Sequence, residues 1–276
     1  DTFFKQGVIT DANRDNAVLL KTFVTTDLQK AIADAYGIRC TDTLTGFKYI
    51  GQKLLKYEQA LPREIQENYS DLTEQEIRAV QLSQGSFFVF GGEESYGYLG
   101  SEFVRDKDAN GAVIMFAELA AYAKSRDLTL VELLDELYTR FGYFLEVNKS
   151  LEFAGAEGAT KIQKLVSSYA SHPPTEAAGA SVSSVRNFAS DDIYDAEGDL
   201  VPKENMMFFD LADGRTFACR PSGTEPKMKY YIFGNRRPKG DPFNAEQLAD
   251  AKEQVDKGLD NLWDWVRVDI EARLNG

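Results

Sequence analysis

The chain has 276 residues, 43% of them apolar and 27% charged, an ordinary globular composition with length for about two domains and no need of covalent staples. Lys and Arg number 31 against 44 Asp and Glu, a formal net charge of −13; this argues against nucleic acid and anionic membranes as partners, and leaves room for a small phosphorylated ligand in a local basic pocket. The cysteines Cys40 and Cys219 show neither metal spacing nor a disulfide framework, and His172 stands alone, which rules out a His-rich zinc site. With no apolar run long enough to span a bilayer and no visible signal peptide, the expected setting is the reduced cytoplasm. The start at Asp1 suggests an excised or processed piece.

In chain order, Ala17–Val24 is a nearly unbroken apolar run and predicts a strand buried on both faces. Thr26 or Asp27 offers an N-cap to a helix striped by Leu28, Ala31, Ile32 and Ala35, and Gly37 stands where a C-cap belongs. Ile38–Leu44 predicts a second strand, and a helix begins near Gly46-Phe47 and runs through Ile50, Leu54 and Leu55. Thr73 and Glu76 have capping-box spacing, and Ser86–Phe90 is the next strand. Apolar-striped helices follow around 111–124 and 130–141. Strands alternating with helices predict an α/β domain, layered α/β/α with a mostly parallel mixed sheet.

Gly155, Gly158, Pro173-Pro174 and the small-residue run 177–180 punctuate the chain and set a boundary near 170–182. Beyond it, 181–188, 205–211, 216–220 and 228–233 read as strands, with Asp213-Gly214 as a hairpin turn. Asn244 then caps a long helix striped by Leu248, Val255, Leu259, Leu262, Val266, Ile270 and Leu274. The expected division is an α/β domain over 1–172 and a smaller α+β domain over 173–276, with an antiparallel sheet and a C-terminal helix.

Three loops carry residues suited to chemistry. In Arg220-Pro-Ser-Gly-Thr-Glu-Pro226, Arg220 offers a planar fork for phosphate oxygens, Ser222 and Thr224 offer hydroxyls, and Gly223 lets backbone N–H groups converge on an anion. Two prolines stiffen this loop and Lys227 and Lys229 follow it; the bland reading is a polar hairpin turn. Gly91-Gly-Glu-Glu-Ser-Tyr-Gly97 ends a strand where open α/β sheets hold ligands. The adjacent carboxylates Glu93 and Glu94, with Ser95, suit vicinal sugar hydroxyls; a capped helix start and a metal site are the alternatives. In Thr43-Leu-Thr-Gly-Phe-Lys48, Lys48 stands at a helix start where it can meet an anion or simply be solvated. Arg105-Asp-Lys-Asp108 by itself reads as a charged turn.

Taken in this order, Thr-Gly-Phe-Lys, Gly-Glu-Glu-Ser-Tyr-Gly, Arg-Asp-Lys-Asp and Arg-Pro-Ser-Gly-Thr-Glu-Pro resemble the α-D-phosphohexomutase family, the phosphoglucomutases and phosphomannomutases, in its phosphoglucomutase/phosphopentomutase-like branch. The resemblance runs from about Val18 to the last helix and covers only the third and fourth of the family's four domains. It implies that Glu93 and Ser95 hold sugar hydroxyls, that Lys107 lines the cleft, that Lys48 sits at its edge, and that Arg220, Ser222, Gly223 and Thr224 hold the substrate phosphate. It implies a parent enzyme, an isomerase that moves phosphate between O1 and O6 of glucose or mannose through a phosphoserine, with a hexose 1,6-bisphosphate as intermediate and activator. The phosphoserine and the magnesium ion belong to domains this chain lacks. Ala170-Ser-His-Pro-Pro174 imitates the nucleophile motif but falls in the linker and reads as a decoy. Asp11-Ala-Asn-Arg-Asp15 is a poor imitation of the metal loop, so no metal ligand is assigned. Residues 57–85 exceed the usual connection and have no assigned role.

The implied partners are the hexose phosphate and the missing N-terminal domains, with neither nucleic acid nor membrane. By this resemblance the chain binds substrate and is inactive alone. The rivals are a stand-alone sugar-phosphate-binding module and an interaction protein that keeps the fold with a dead cleft.

Overall fold

The structure, a computed structural model, describes residues 1–95, 97–153, 155, 157–223 and 225–276. The chain divides into two compact units, one of Asp1–Glu136 with Tyr194–Asp199, the other of Leu137–Ile193 with Leu200–Gly276.

In the first unit, a short helix α1 (Thr2–Lys5) precedes β1 (Ala17–Thr22), α2 (Leu28–Tyr36), β2 (Arg39–Thr43) and α3 (Phe47–Gln59). Helices α4 (Arg63–Glu67) and α5 (Glu74–Gln84) lead to β3 (Phe87–Gly92) and β4 (Tyr98–Leu99), then to α6 (Ala109–Ser125) and α7 (Leu130–Phe141), whose last turn enters the second unit. The sheet order is β2-β1-β3-β4. β1 pairs in parallel with β2 and β3, and β4 closes one edge antiparallel to β3. Every residue of β1 is buried, as an apolar run in a central parallel strand requires. Val18, Leu20 and Phe88 pack with Phe47, Ile50, Leu54 and Tyr57 of α3 on one face. Ala17, Phe87 and Leu82 form the opposite core with Ile9, supported by Phe3 and Phe4. The Gly37 C-cap is left-handed (φ 64°) and the Thr73–Glu76 capping box is present, both as the sequence predicts. Helix α6 departs from expectation: its apolar stripe faces outward, with Val113 69% and Phe116 54% exposed, and Ala123 is its buried residue.

The second unit contains β5 (Tyr143–Glu152), α8 (Gly158–Ser171), β6 (Glu176–Ala177), β7 (Ala180–Asn187), β8 (Met207–Leu211), β9 (Thr216–Pro221), β10 (Lys227–Arg236) and α9 (Ala245–Asn275). Its sheet runs β5-β10-β9-β8-β7-β6, antiparallel at each step. Leu248, Val255, Leu259, Leu262, Val266 and Ile270 of α9 pack against Met207, Phe209, Phe217, Cys219, Tyr230 and Ile232. Each such side chain, fully buried, contributes roughly 1.5–3 kcal/mol. The Asn244 capping box is formed.

The observed units divide ahead of the 172/173 boundary expected from the sequence. Strand β5 pairs with β10 from Tyr143 opposite Arg236 to Glu152 opposite Lys227, and Leu165 and Tyr169 of α8 enter the second core. Neither element was anticipated, although Leu145, Val147 and Leu151 alternate and Ile162, Leu165, Val166 and Tyr169 recur at helical spacing. Gly158, read as punctuation, is the first residue of α8. A Cβ there would lie 1.9 Å from the Phe153 carbonyl oxygen, so a tight chain approach rather than a linker needs the glycine.

Candidate functional site

Because β1, β2 and β3 are parallel, the loops after each emerge at one edge of the sheet, outside the carboxyl ends where α/β folds place ligands. Three of the motifs found in the sequence meet there. Glu93 follows β3 and is 12% exposed. Its Oε1 accepts the N–H of Gly46 at 2.6 Å, at the start of α3. The carboxylate therefore lies where the helix dipole favours negative charge. Its Oε2 lies 3.4 Å from Lys107 Nζ. The Lys107 ammonium also stands 5.0 Å from the Phe47 ring centroid. One carboxylate thus joins Thr-Gly-Phe-Lys, Gly-Glu-Glu-Ser and Arg-Asp-Lys-Asp. A carboxylate has about four acceptor positions, so Glu93 keeps capacity for hydroxyl donors beyond these two contacts.

Two glycines make the arrangement fit. Gly46 has φ +117°, a conformation other residues rarely adopt. At Gly97, a Cβ would fall 2.3 Å from Cγ and Cδ of Lys107, so the lysine stem lies directly against the glycine backbone. Ser95 is half-buried in the same turn. Lys48 is exposed on the first turn of α3, with Nζ 4.8 Å from the Tyr49 ring centroid, and is not drawn to Glu93.

Lys21 was missed because it sits inside the apolar run of β1. It is 1% exposed and ion-paired to Asp27 at 2.9 Å and Asp42 at 2.7 Å. Its ammonium also donates to the Thr25 carbonyl, fixing the β1–α2 loop at this same edge. Burial alone pushes a lysine down, but the two carboxylates outweigh it and hold Lys21 above its ordinary value. The signal was a lone lysine in a buried strand, where a charge needs a partner.

In the second unit, Arg220 ends β9 at the hairpin to β10. Its side chain is 16% exposed, and Nη1 lies 3.1 Å from Glu204 Oε1. Lys229 of β10 is its register partner, so two cations stand opposite each other on one face of an antiparallel pair, which is unfavourable without an anion. Glu204 supplies a negative charge beside Arg220, and nothing in its own sequence neighbourhood marks it. The hairpin is tied by the Ser222 N–H to the Lys227 carbonyl at 2.8 Å. Lys227 pairs with Glu225 at 2.6 Å. Gly223 is not in the left-handed region, and the space a Cβ would fill is open, leaving its backbone accessible. Thr224 lies outside the described residues.

Among the described residues, no group of three or more His, Cys, Asp or Glu side chains is placed to hold a metal ion. Glu93 is engaged by an N–H and an ammonium, not by the several convergent oxygens that magnesium requires. These residues do not fit a magnesium site. Asp11 pairs with Arg14 at 3.0 Å. Ser171, at the end of α8, donates to the Ser167 carbonyl at 2.7 Å and lies 2.9 Å from His172 Nδ1. Cys219 is buried and free, and burial pushes its thiol up to about 12, an inert state. Among the described residues, no helix is long and apolar enough to cross a membrane.

Residues 4–141, half of the chain, match the family model for phosphoglucomutase/phosphomannomutase, alpha/beta/alpha domain III. The chain belongs to the phosphoglucomutase/phosphomannomutase family. A phosphoglucomutase of Staphylococcus epidermidis is 32% identical over 222 residues, covering 79% of this chain and 36% of that protein. A phosphoglucomutase of Staphylococcus aureus is 31% identical over 220 residues, 78% of this chain and 35% of that protein. The chain therefore spans about a third of the length of these relatives. Among solved structures, the open form of the exocytosis-sensitive phosphoprotein pp63/parafusin, a phosphoglucomutase from Paramecium, aligns over 93% of this chain and 39% of that one at 18% identity, with a TM-score of 0.49.

Proposed function

We propose that the chain is the C-terminal, substrate-binding part of a phosphohexomutase that moves phosphate between O1 and O6 of glucose or mannose phosphate. Glu93 and Ser95 take sugar hydroxyls, Lys107 balances charge beside them, Lys48 stands at the rim, and Arg220, Ser222, Gly223 and Thr224 take the phosphate. The observation that carries this reading is the meeting of three separate motifs at Glu93, through Gly46 and Lys107. The like-charged pair of Arg220 and Lys229 supports an anion at the β9–β10 hairpin.

Phosphoryl transfer needs in-line positioning and neutralised charge more than covalent chemistry by the protein. A hydroxyl clamp and a phosphate clamp supply positioning and part of that neutralisation. The phosphoserine and the magnesium ion that neutralises the transferring group belong to the rest of the parent chain, and the cytoplasm is its setting. The 276-residue chain alone is expected to bind glucose 1-phosphate without turning it over.

Calorimetric titration of the chain with glucose 1-phosphate tests this. Binding that weakens in both Glu93→Gln and Arg220→Ala supports the reading. No binding to the unaltered chain, or steady turnover by it, overturns it.

A further inference from the structure

Residues 57–85, which the family resemblance left without a role, hold the loop that delivers Lys107. After β4, residues 100–107 run to the N-cap of α6 with two side-chain anchors. The first is Glu102, which accepts from the Tyr69 hydroxyl and, at 2.9 Å, from Gln81 Nε2. Gln81 also donates to the Tyr69 oxygen at 3.0 Å. Gln81 and Tyr69 are buried, and burial together with the Glu102 hydrogen bond holds the Tyr69 hydroxyl protonated, far above its ordinary range. The second anchor is Arg105, ion-paired to Glu58 through Nη2 and Oε2. Its guanidinium stands 5.9 Å from the Tyr69 ring centroid.

The partners in both anchors, Glu58, Tyr69 and Gln81, come from 57–85. Arg105 has φ 57°, a left-handed conformation disfavoured for a side chain of this size. Such a residue persists when its surroundings over-determine it. Here the Glu58 pair and close packing on α3 do so: a Cβ on Gly51 would sit 2.9 Å from the Arg105 carbonyl oxygen. Two residues beyond that turn, Lys107 lies along Gly97 and reaches Glu93.

We propose that segment 57–85 is the positioning frame of the sugar site: Tyr69, Gln81 and Glu58 act through Glu102 and Arg105 to set Lys107 against Glu93. This rests on the reading of Glu93 and Lys107 as sugar-binding residues. The positioning residues touch no substrate; they fix the turn from which Lys107 extends.

The test uses the 276-residue chain with Tyr69→Phe, Arg105→Ala and Arg105→Lys. Tyr69→Phe keeps the ring and removes one hydroxyl, so it remains informative if Arg105→Ala fails to fold. Two readouts are taken: calorimetric affinity for glucose 1-phosphate, and the amide resonances of Gly46 and Gly97, which report the Glu93–Lys107 contact without ligand. Tyr69→Phe and Arg105→Ala are expected to shift both resonances and to weaken binding about three- to tenfold, the size of one or two lost hydrogen bonds. Arg105→Lys, which keeps the charge opposite Glu58, is expected to restore most of the affinity. Unmoved resonances in Tyr69→Phe and Arg105→Ala overturn the proposal, as does unchanged affinity in both. If the unaltered chain binds no glucose 1-phosphate, the sugar reading fails, and the ligand-free resonances alone decide whether the frame sets Lys107.

Discussion

The stem of Lys107 lies so close to Gly97 that a Cβ on residue 97 would fall 2.3 Å from Lys107 Cγ, and the same lysine ends 3.4 Å from Glu93. A single glycine therefore sets whether the charge reaches its carboxylate. Gly97→Ala is expected to push the flexible, partly exposed lysine aside. Glucose 1-phosphate affinity should fall about tenfold while the melting temperature stays within about 3 °C, since no core contact is lost. Calorimetry and thermal unfolding on one variant check both halves.

On the proposed reading, Arg220→Ala removes a charge-assisted and geometrically specific phosphate contact. Substrate affinity should fall by about 1.5–3 kcal/mol, and Arg220→Lys should recover only part of it. The guanidinium is also largely buried and in contact with Glu204, so it contributes to the fold. Arg220→Ala leaves Glu204 without this partner, so a measurable loss of stability should accompany the loss of affinity in denaturant titrations.

The Lys21 cluster should respond unequally to its two deletions. Lys21→Met removes the buried charge and leaves Asp27 and Asp42, which are partly exposed and reach water. Asp42→Ala instead leaves a fully buried ammonium short of one partner. The first is expected to cost about 1–3 kcal/mol and the second about 3–5 kcal/mol. Because the folded-state Lys21 titrates above its ordinary value of 10.5, its contribution is intact below that pH. It is lost only as pH rises through the folded value.

Acid should unfasten a second ionic cluster. Asp199 accepts from Lys53 at 2.6 Å and also pairs with Lys56, and these contacts hold its carboxyl below the ordinary 3.8. A lowered folded-state value means the contribution is full above 3.8 and disappears as pH falls through the folded value. Asp199→Asn should therefore flatten the acid limb of a melting-temperature profile below about pH 4 and lower stability only modestly at pH 7, because the pair is partly solvated.

Helix α6 should tolerate charge where its sequence looks like core. Phe116 is 54% exposed, so Phe116→Glu is expected to change stability by less than about 0.5 kcal/mol. Leu54→Ala, at a fully buried position of α3, should cost about 2–5 kcal/mol. Equal losses in chemical denaturation would place α6 in the packed core.

Local physics made much of the molecule legible in one dimension. The apolar run of β1, the Gly37 C-cap, the capping boxes at Thr73 and Asn244 and the stripe of α9 depend on residues within a few positions of one another, so their spacing specified them. Three motif loops stood out for the same reason, as dense local groupings of Gly, hydroxyl and charged residues, whereas Arg105-Asp-Lys-Asp108 by itself read as a charged turn. Tertiary structure decided the rest. The alternation of β5 became a strand only by pairing with β10, some eighty residues later. The partners of the candidate site side chains are equally remote: Gly46 for Glu93, Glu204 for Arg220, and Tyr69, Gln81 and Glu58 for the loop bearing Lys107. A hydrogen bond or ion pair leaves no periodic trace when its two halves lie in different elements, so only the folded chain shows which polar groups meet.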